Sequence, residues 1–164
     1  MRLSGAGLDD YVVDLAELAE RYGIDLALSD GEALTVEIEA SGSRRFTLSG
    51  TLPAGRRLPS AGVELAETWR PVGRDGYERS AYRYELLEQE RDFRRAFHRH
   101  DEETFARRYG VVVHEHCEAP ISAAPCAHLF GPPVRDGYRA IELLMSAWVA
   151  DPPDCAGLPC LDPI

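Results

Sequence analysis

An α+β fold, with antiparallel β-meanders and one helix near each end packed on the sheet, is what this 164-residue chain predicts. Three observations carry it. Alternating apolar and polar stretches recur between residues 24 and 117, separated by Gly- and Pro-containing turns. A stripe with helical spacing precedes them, and a second one follows. At this length a single domain with a sizeable core is the default.

The elements follow in order. Asp9 or Asp10 is placed to cap a helix over 10–22, with Tyr11, Leu15, Leu18 and Tyr22 on one stripe and Gly23 as its stop. Ile24–Ser29, Ala33–Ala40 and Arg45–Leu52 alternate, with Asp30-Gly31 and Ser41-Gly42-Ser43 between them, and predict a three-stranded meander. Residues 53–62 read as a loop, which divides an acidic subregion (1–52) from one rich in Arg, His and Cys (63–164). Val63–Pro71 and Tyr77–Leu87 are further strands, the latter with Tyr82, Tyr84 and Leu86 on one face. Residues 91–100 fit a strand, with Phe93 and Phe97 on one face and Arg94, Ala96, His98 and His100 on the other, and they also fit a helix. The run Tyr82-x-Tyr84 just before them favours the strand. Asp101 caps a short helix, Glu102–Tyr109, ending at Gly110. Val111–Cys117 opens with three β-branched residues and is the clearest strand. Asp136–Val149 is an amphipathic helix with Tyr138, Ile141, Leu144, Met145 and Trp148 inward, stopped by Pro152-Pro153.

All five histidines and all four cysteines lie after residue 97. On a strand the side-chain period is two, so His98-x-His100 and His114-x-His116 each direct both imidazoles to one face. Four imidazoles on neighbouring strands can hold a first-row divalent metal, or supply an acid and a base for phosphodiester chemistry. Isolated, such pairs are more often solvated outer faces of half-buried strands. Cys126, His128, Cys155 and Cys160 form a second set, able to bind zinc and staple the tail and last helix to the sheet. Buried thiols are the plainer reading of the same cysteines. Arg91, Arg94, Arg95 and Arg99, with Arg107 and Arg108, are placed to contact phosphate oxygens, Arg94 and Arg95 foremost with Tyr84 beside them, although such runs are usually balanced by nearby acids. Walker, Gly-x-Gly-x-x-Gly, Gly-x-Ser-x-Gly and His-Glu-x-x-His motifs are missing.

A net charge of −10 and a pI near 4.9 argue against a general nucleic-acid or membrane binder. The charge is uneven, with 12 Arg against 11 acids over residues 56–109 and acidic flanks on both sides. The chain opens without an apolar run of signal-peptide length and contains no stretch long enough to span a membrane. A reducing cytoplasm is the expected setting, with the cysteines as thiols or metal ligands.

The order Tyr82-Arg83-Tyr84, Phe97-His98-Arg99-His100-Asp101, His114-Glu115-His116 and a terminal helix resembles the small TumE-like proteins of toxin–antitoxin pairs. The likeness spans roughly residues 63–150; the cysteines and the amino-terminal half lie outside it. It implies a compact α+β domain with a nucleic-acid-directed toxin activity.

Two functional readings stand. One is a small cytoplasmic nuclease-like protein, with His98, His100, His114 and His116 catalytic or metal-binding and with zinc or another divalent ion as cofactor. RNA or a nucleotide is then the substrate, and an antitoxin-like protein or a second copy of the chain the partner. The other is a non-enzymatic docking protein with a structural zinc or thiol cluster and an acidic surface.

Overall fold

Alternation in the sequence becomes one antiparallel sheet in the computed structural model, which describes residues 1–26, 33–100, 106–108, 110–121, 127–129, 132–150, 155 and 160–161. Chain order gives β1 (Arg2–Ser4), α1 (Gly5–Arg21), β2 (Leu34–Ile38), β3 (Arg44–Leu52), β4 (Ala61–Val72), β5 (Gly76–Glu88), β6 (Phe93–Arg99), β7 (Val113–Glu118), β8 (His128–Leu129) and α2 (Gly137–Val149). Strands β2 to β8 lie side by side in sequence order, each antiparallel to the next. Strand β1 pairs with the first residues of β5, in line with β6, which pairs with the later ones. The helix-or-strand ambiguity of residues 91–100 resolves as a strand.

Several boundaries move. Helix α1 starts earlier than its stripe suggests, because the Ser4 hydroxyl accepts the Gly7 N–H at 3.0 Å and takes the capping role expected of Asp9 or Asp10. Its buried stripe is Leu8, Tyr11, Leu15 and Ala19, while Tyr22 is 42% exposed. The first strand of the expected meander reduces to a bridge between Asp25 and Thr51, with residues 27–30 outside the described part. Of the expected helix over 102–109, residues 106–108 are helical and the rest lies outside the described residues. The loop before β4 does not divide the sheet, since β3 and β4 stay paired from Arg44–Trp69 to Leu52–Ala61.

Both helices cover the same face. Phe46, Leu48, Leu65, Trp69, Tyr84, Leu86, Phe93 and Phe97 from the strands pack with Leu8, Tyr11 and Leu15 of α1 and Ile141 and Leu144 of α2. Gly137 lets the helices meet, because a Cβ there would lie 2.8 Å from both Leu15 Cδ2 and the Tyr11 hydroxyl. Beneath the helices sits a buried polar knot. Glu67, 1% exposed, accepts from Tyr11 at 2.9 Å, Trp69 at 2.8 Å, Arg79 at 3.0 Å and the Tyr84 hydroxyl. Arg79 also donates to the carbonyls of Val134 and Arg135, at 2.6 and 2.7 Å, and so ties the lead-in of α2 to the sheet. Burial, then the Glu67 carboxylate, pushes both tyrosine hydroxyls upward in pKa, which keeps them donors.

The zinc staple is corrected. Cys155 forms a disulfide with Cys117 of β7, and Cys160 is disulfide-bonded as well. Neither Cys155 nor Cys160 therefore offers a thiolate, and the tail is tied to the sheet by sulfur rather than metal. Cys126 lies outside the described residues. His128 is buried on β8 opposite Glu115, away from the other histidines. Disulfides persist in oxidising surroundings, so the reading of these cysteines as free thiols does not hold.

Candidate metal centre

The two His-x-His pairs do meet. In the β6–β7 register His98 lies directly opposite His114, and His116 opposite Ala96. Paired residues share a face, so all three rings emerge on the side of the sheet away from the helices. His98, His114 and His116 are 8%, 2% and 5% exposed, and one nitrogen from each lies within 4.8 Å of the other two. Ring centroids are 4.9 Å apart for His98–His114, 5.0 Å for His98–His116 and 4.9 Å for His114–His116. His100, half-buried at the end of β6, stacks on His114 at 5.0 Å and lies edge-on to His98 at 5.8 Å. It flanks the triad and is not part of it.

Hydrogen-bond logic sets the ring orientations. His116 Nδ1 lies 3.1 Å from Glu118 Oε1, and a carboxylate oxygen accepts, so Nδ1 carries the hydrogen and Nε2 presents its lone pair. The His114 and His116 Nε2 atoms are 3.1 Å apart, so His114 donates to that lone pair. With the His114 hydrogen moved to Nδ1, both Nε2 lone pairs would face the space between the rings, and an ion could take the place of that hydrogen. The widest spacing in the triad must close by about 1.5 Å to reach the ~3.3 Å of a tetrahedral site.

His98 Nε2 is buried without a hydrogen-bond partner among the described residues. Burial, then the neighbouring rings of His116, His114 and His100, pushes His98 down to about 2. Burial, with His116 and His100, pushes His114 down to about 3. Both rings are neutral near pH 7, the state in which imidazole ligates a metal.

The arginine run is largely spent on carboxylates. Arg91 binds Glu88 and donates to the Trp148 and Ala150 carbonyls, closing the end of α2. Arg94 shares the histidine face but pairs with Glu85 at 2.8 Å and lies 3.7 Å from Glu118. Arg95 faces the helices and pairs with Glu115 at 2.6 Å. Tyr84 is fully buried in the Glu67 knot, so neither it nor Arg95 shares the site with the histidines, which corrects the expected phosphate contacts. Glu118 escaped sequence reasoning, although its spacing of two from His116 placed it on the same face of the strand.

No family model, no curated protein and no solved structure matches this chain. Among the described residues no helix is long and apolar enough to cross a membrane.

Proposed function

We propose that the chain is a metal-dependent, nuclease-like hydrolase directed at phosphodiesters, with His98, His114 and His116 as the ligands of one divalent ion. The observation that carries this reading is the convergence of three buried ring nitrogens on one space. Imidazole donors suit zinc, copper, iron and nickel. His98, His114 and His116 would hold such an ion through three imidazoles, and it would supply Lewis acidity at neutral pH. Glu118 fixes the ligating tautomer of His116, and Arg94, held between Glu85 and Glu118, keeps that carboxylate in place. His100, at the margin of the triad, is the histidine placed to carry a proton to or from a reacting group.

RNA or a nucleotide as substrate, and an antitoxin-like protein or a second copy as partner, belong to this proposal through the TumE-like resemblance. The docking-protein alternative combined a structural zinc or thiol cluster with an acidic docking surface; the disulfides at Cys117, Cys155 and Cys160 take away the thiolate ligands of that cluster and leave the acidic surface as its support.

Metal analysis of the purified chain tests the reading, with one ion per chain expected. His114→Ala and His116→Ala should each lose the ion and lower nuclease activity by about 10²-fold or more, while the protein still melts cooperatively. Failure to bind zinc or another divalent ion at micromolar concentration, or a double variant as active as the parent, would end it.

A further inference from the structure

The two edges of the sheet are built differently. At one, β8 is only two residues long, which is one way in which proteins blunt an edge. At the other, β2 offers five residues, Leu34–Ile38, with no proline and no bulge in their pairing with β3. Among the described residues no strand lies on its outer side. Val36 stands opposite the core residue Phe46, so it and Ile38 belong to the face that carries the helices. They are nevertheless 56% and 70% exposed.

Backbone parity fixes which groups of β2 point outward. Ser49 N–H donates to the Ala33 carbonyl at 2.8 Å, and Glu39 N–H donates to the Ser43 carbonyl at 2.9 Å. Directly bonded pairs alternate along an antiparallel ladder, so Thr35 and Glu37 also bond to β3. Leu34, Val36 and Ile38 then turn their N–H and C=O groups to the open side. Consider a second β2 running antiparallel, with a two-fold axis at Val36. Val36 faces its own copy, Leu34 faces the copy's Ile38, and every outward N–H and C=O of the three finds a partner.

The side chains fit the same register. On the helix face, Phe46, Val36 and their copies make one apolar row across the axis, and Leu34 covers the copy's Ile38. On the other face, Glu37 meets the copy's Thr35, a hydroxyl donor, so no like charges oppose each other. Sliding the copies by two residues one way sets Glu37 against its own copy. Sliding them the other way takes Ile38 out of the pairing.

We propose that β2 is a self-pairing edge, through which two copies of this chain join their sheets about a two-fold axis at Val36. A second copy fits better than an unrelated strand, because Leu34–Ile38 is complementary to itself in bonding, apolar surface and charge. The contact is small, of the weak and concentration-dependent kind. It does not depend on the metal-centre reading, since the triad lies on β6 and β7, beyond β5 in the strand order.

Sedimentation equilibrium of the full chain, from micromolar to millimolar concentration, tests this. A monomer–dimer equilibrium is expected. Val36→Pro removes the outward N–H at the axis and keeps the bonds to β3, as a proline on the open side of an edge strand can. It should weaken association about tenfold or more, because the hydrogen bonds across the axis are lost. Val36→Lys, which sets two ammonium groups against each other at an exposed position, should do the same and serves if the proline variant does not fold. Val149→Lys, the same change at the exposed end of α2, should leave the dimer unchanged. Melting temperature and zinc binding are measured on each sample. A chain that stays monomeric throughout overturns the proposal. So does a dimer that the folded Val36 variants leave intact, equal weakening by Val149→Lys, or association that runs on beyond the dimer. A dimer that binds no zinc fails only the metal reading, and a zinc-binding monomer fails only the self-pairing edge.

Discussion

The two faces of this sheet bury polar groups in opposite ways. Under the helices, Glu67 accepts from four donors and Arg79 reaches two carbonyls as well, so a buried charge pair is fully occupied. On the other face, three imidazoles crowd together, burial lowers the basicity of His98 and His114, and His98 Nε2 has no hydrogen-bond partner among the described residues. A satisfied network specifies a fold; a cluster with an open lone pair awaits a ligand. The comparison teaches that burial alone does not mark a functional site. Satisfaction does.

Removing Glu67 should break the first face outright. Glu67→Ala strips Arg79 of its buried counter-charge and leaves the Tyr11, Trp69 and Tyr84 donors unmatched. Losing one partner of a buried pair costs about 3–5 kcal/mol, a large share of the ~5–15 kcal/mol that holds a domain together. Chemical denaturation should show an unfolded chain or a midpoint shifted far down. The same truncation at His114 should leave a cooperative transition. Equal damage at both sites would erase the distinction between the faces.

The next effect concerns the tail. The Cys117–Cys155 bridge spans 38 residues, and closing a loop of that size removes unfolded-state entropy equivalent to about 4 kcal/mol. Cys155→Ser should lower the melting temperature clearly in the absence of reductant, and dithiothreitol should lower the parent at least as far, because it also opens the bridge at Cys160. A parent indifferent to reductant would mean the bridge contributes nothing. A chelator should leave this contribution untouched, in contrast to a zinc staple.

Acid should act through the histidine face. In the metal-free chain, His98 and His114 are held down to about 2 and about 3, below the ~6.5 of an unfolded histidine. The unfolded chain then binds more protons below pH 6.5, so stability is fully present above that pH. It should fall at about 1.4 kcal/mol per pH unit for each histidine as the pH drops. Denaturation midpoints at pH 7.5, 6 and 5 check this, and His98→Ala should flatten part of the slope. A profile level from 7.5 to 5 would show that the rings are not held neutral.

Much of this was legible because period two is a strong signal. Tyr82, Tyr84, Phe93 and Phe97 declared one face of β5 and β6, and the His-x-His pairs declared the other. The same parity held information that went unused. Glu67 sits between Leu65 and Trp69, on the inward positions of β4, where a carboxylate must find partners. What could not be read was long-range. Arg79 reaches the lead-in of α2, 55 residues away, after a bulge shifts the β4–β5 register. The pairing of Cys117 with Cys155 depends on where the tail returns, and Arg83 gains its place beside His98 from a cross-strand register that no local pattern encodes.

The smallest expected effect compares two glutamates three residues apart on β7. Glu118 shares the histidine face and accepts from His116 Nδ1 at 3.1 Å, whereas Glu115 faces the helices and pairs with Arg95 at 2.6 Å. Glu118→Gln keeps the shape but removes the charge that holds the Nδ1 hydrogen and strengthens Nε2 as a donor to a metal. The amide can also turn its own N–H towards Nδ1, and the ring then presents the wrong tautomer. Outer partners of this kind are worth 10–100-fold in metal affinity, so competition with a chromophoric chelator should show zinc binding weakened about tenfold or more. Glu115→Gln should leave zinc affinity unchanged while costing some stability, since it strands the partly buried Arg95. A loss of zinc affinity in both variants would mean that β7 is merely perturbed. A loss in Glu118→Gln alone ties the effect to the face that carries the histidines.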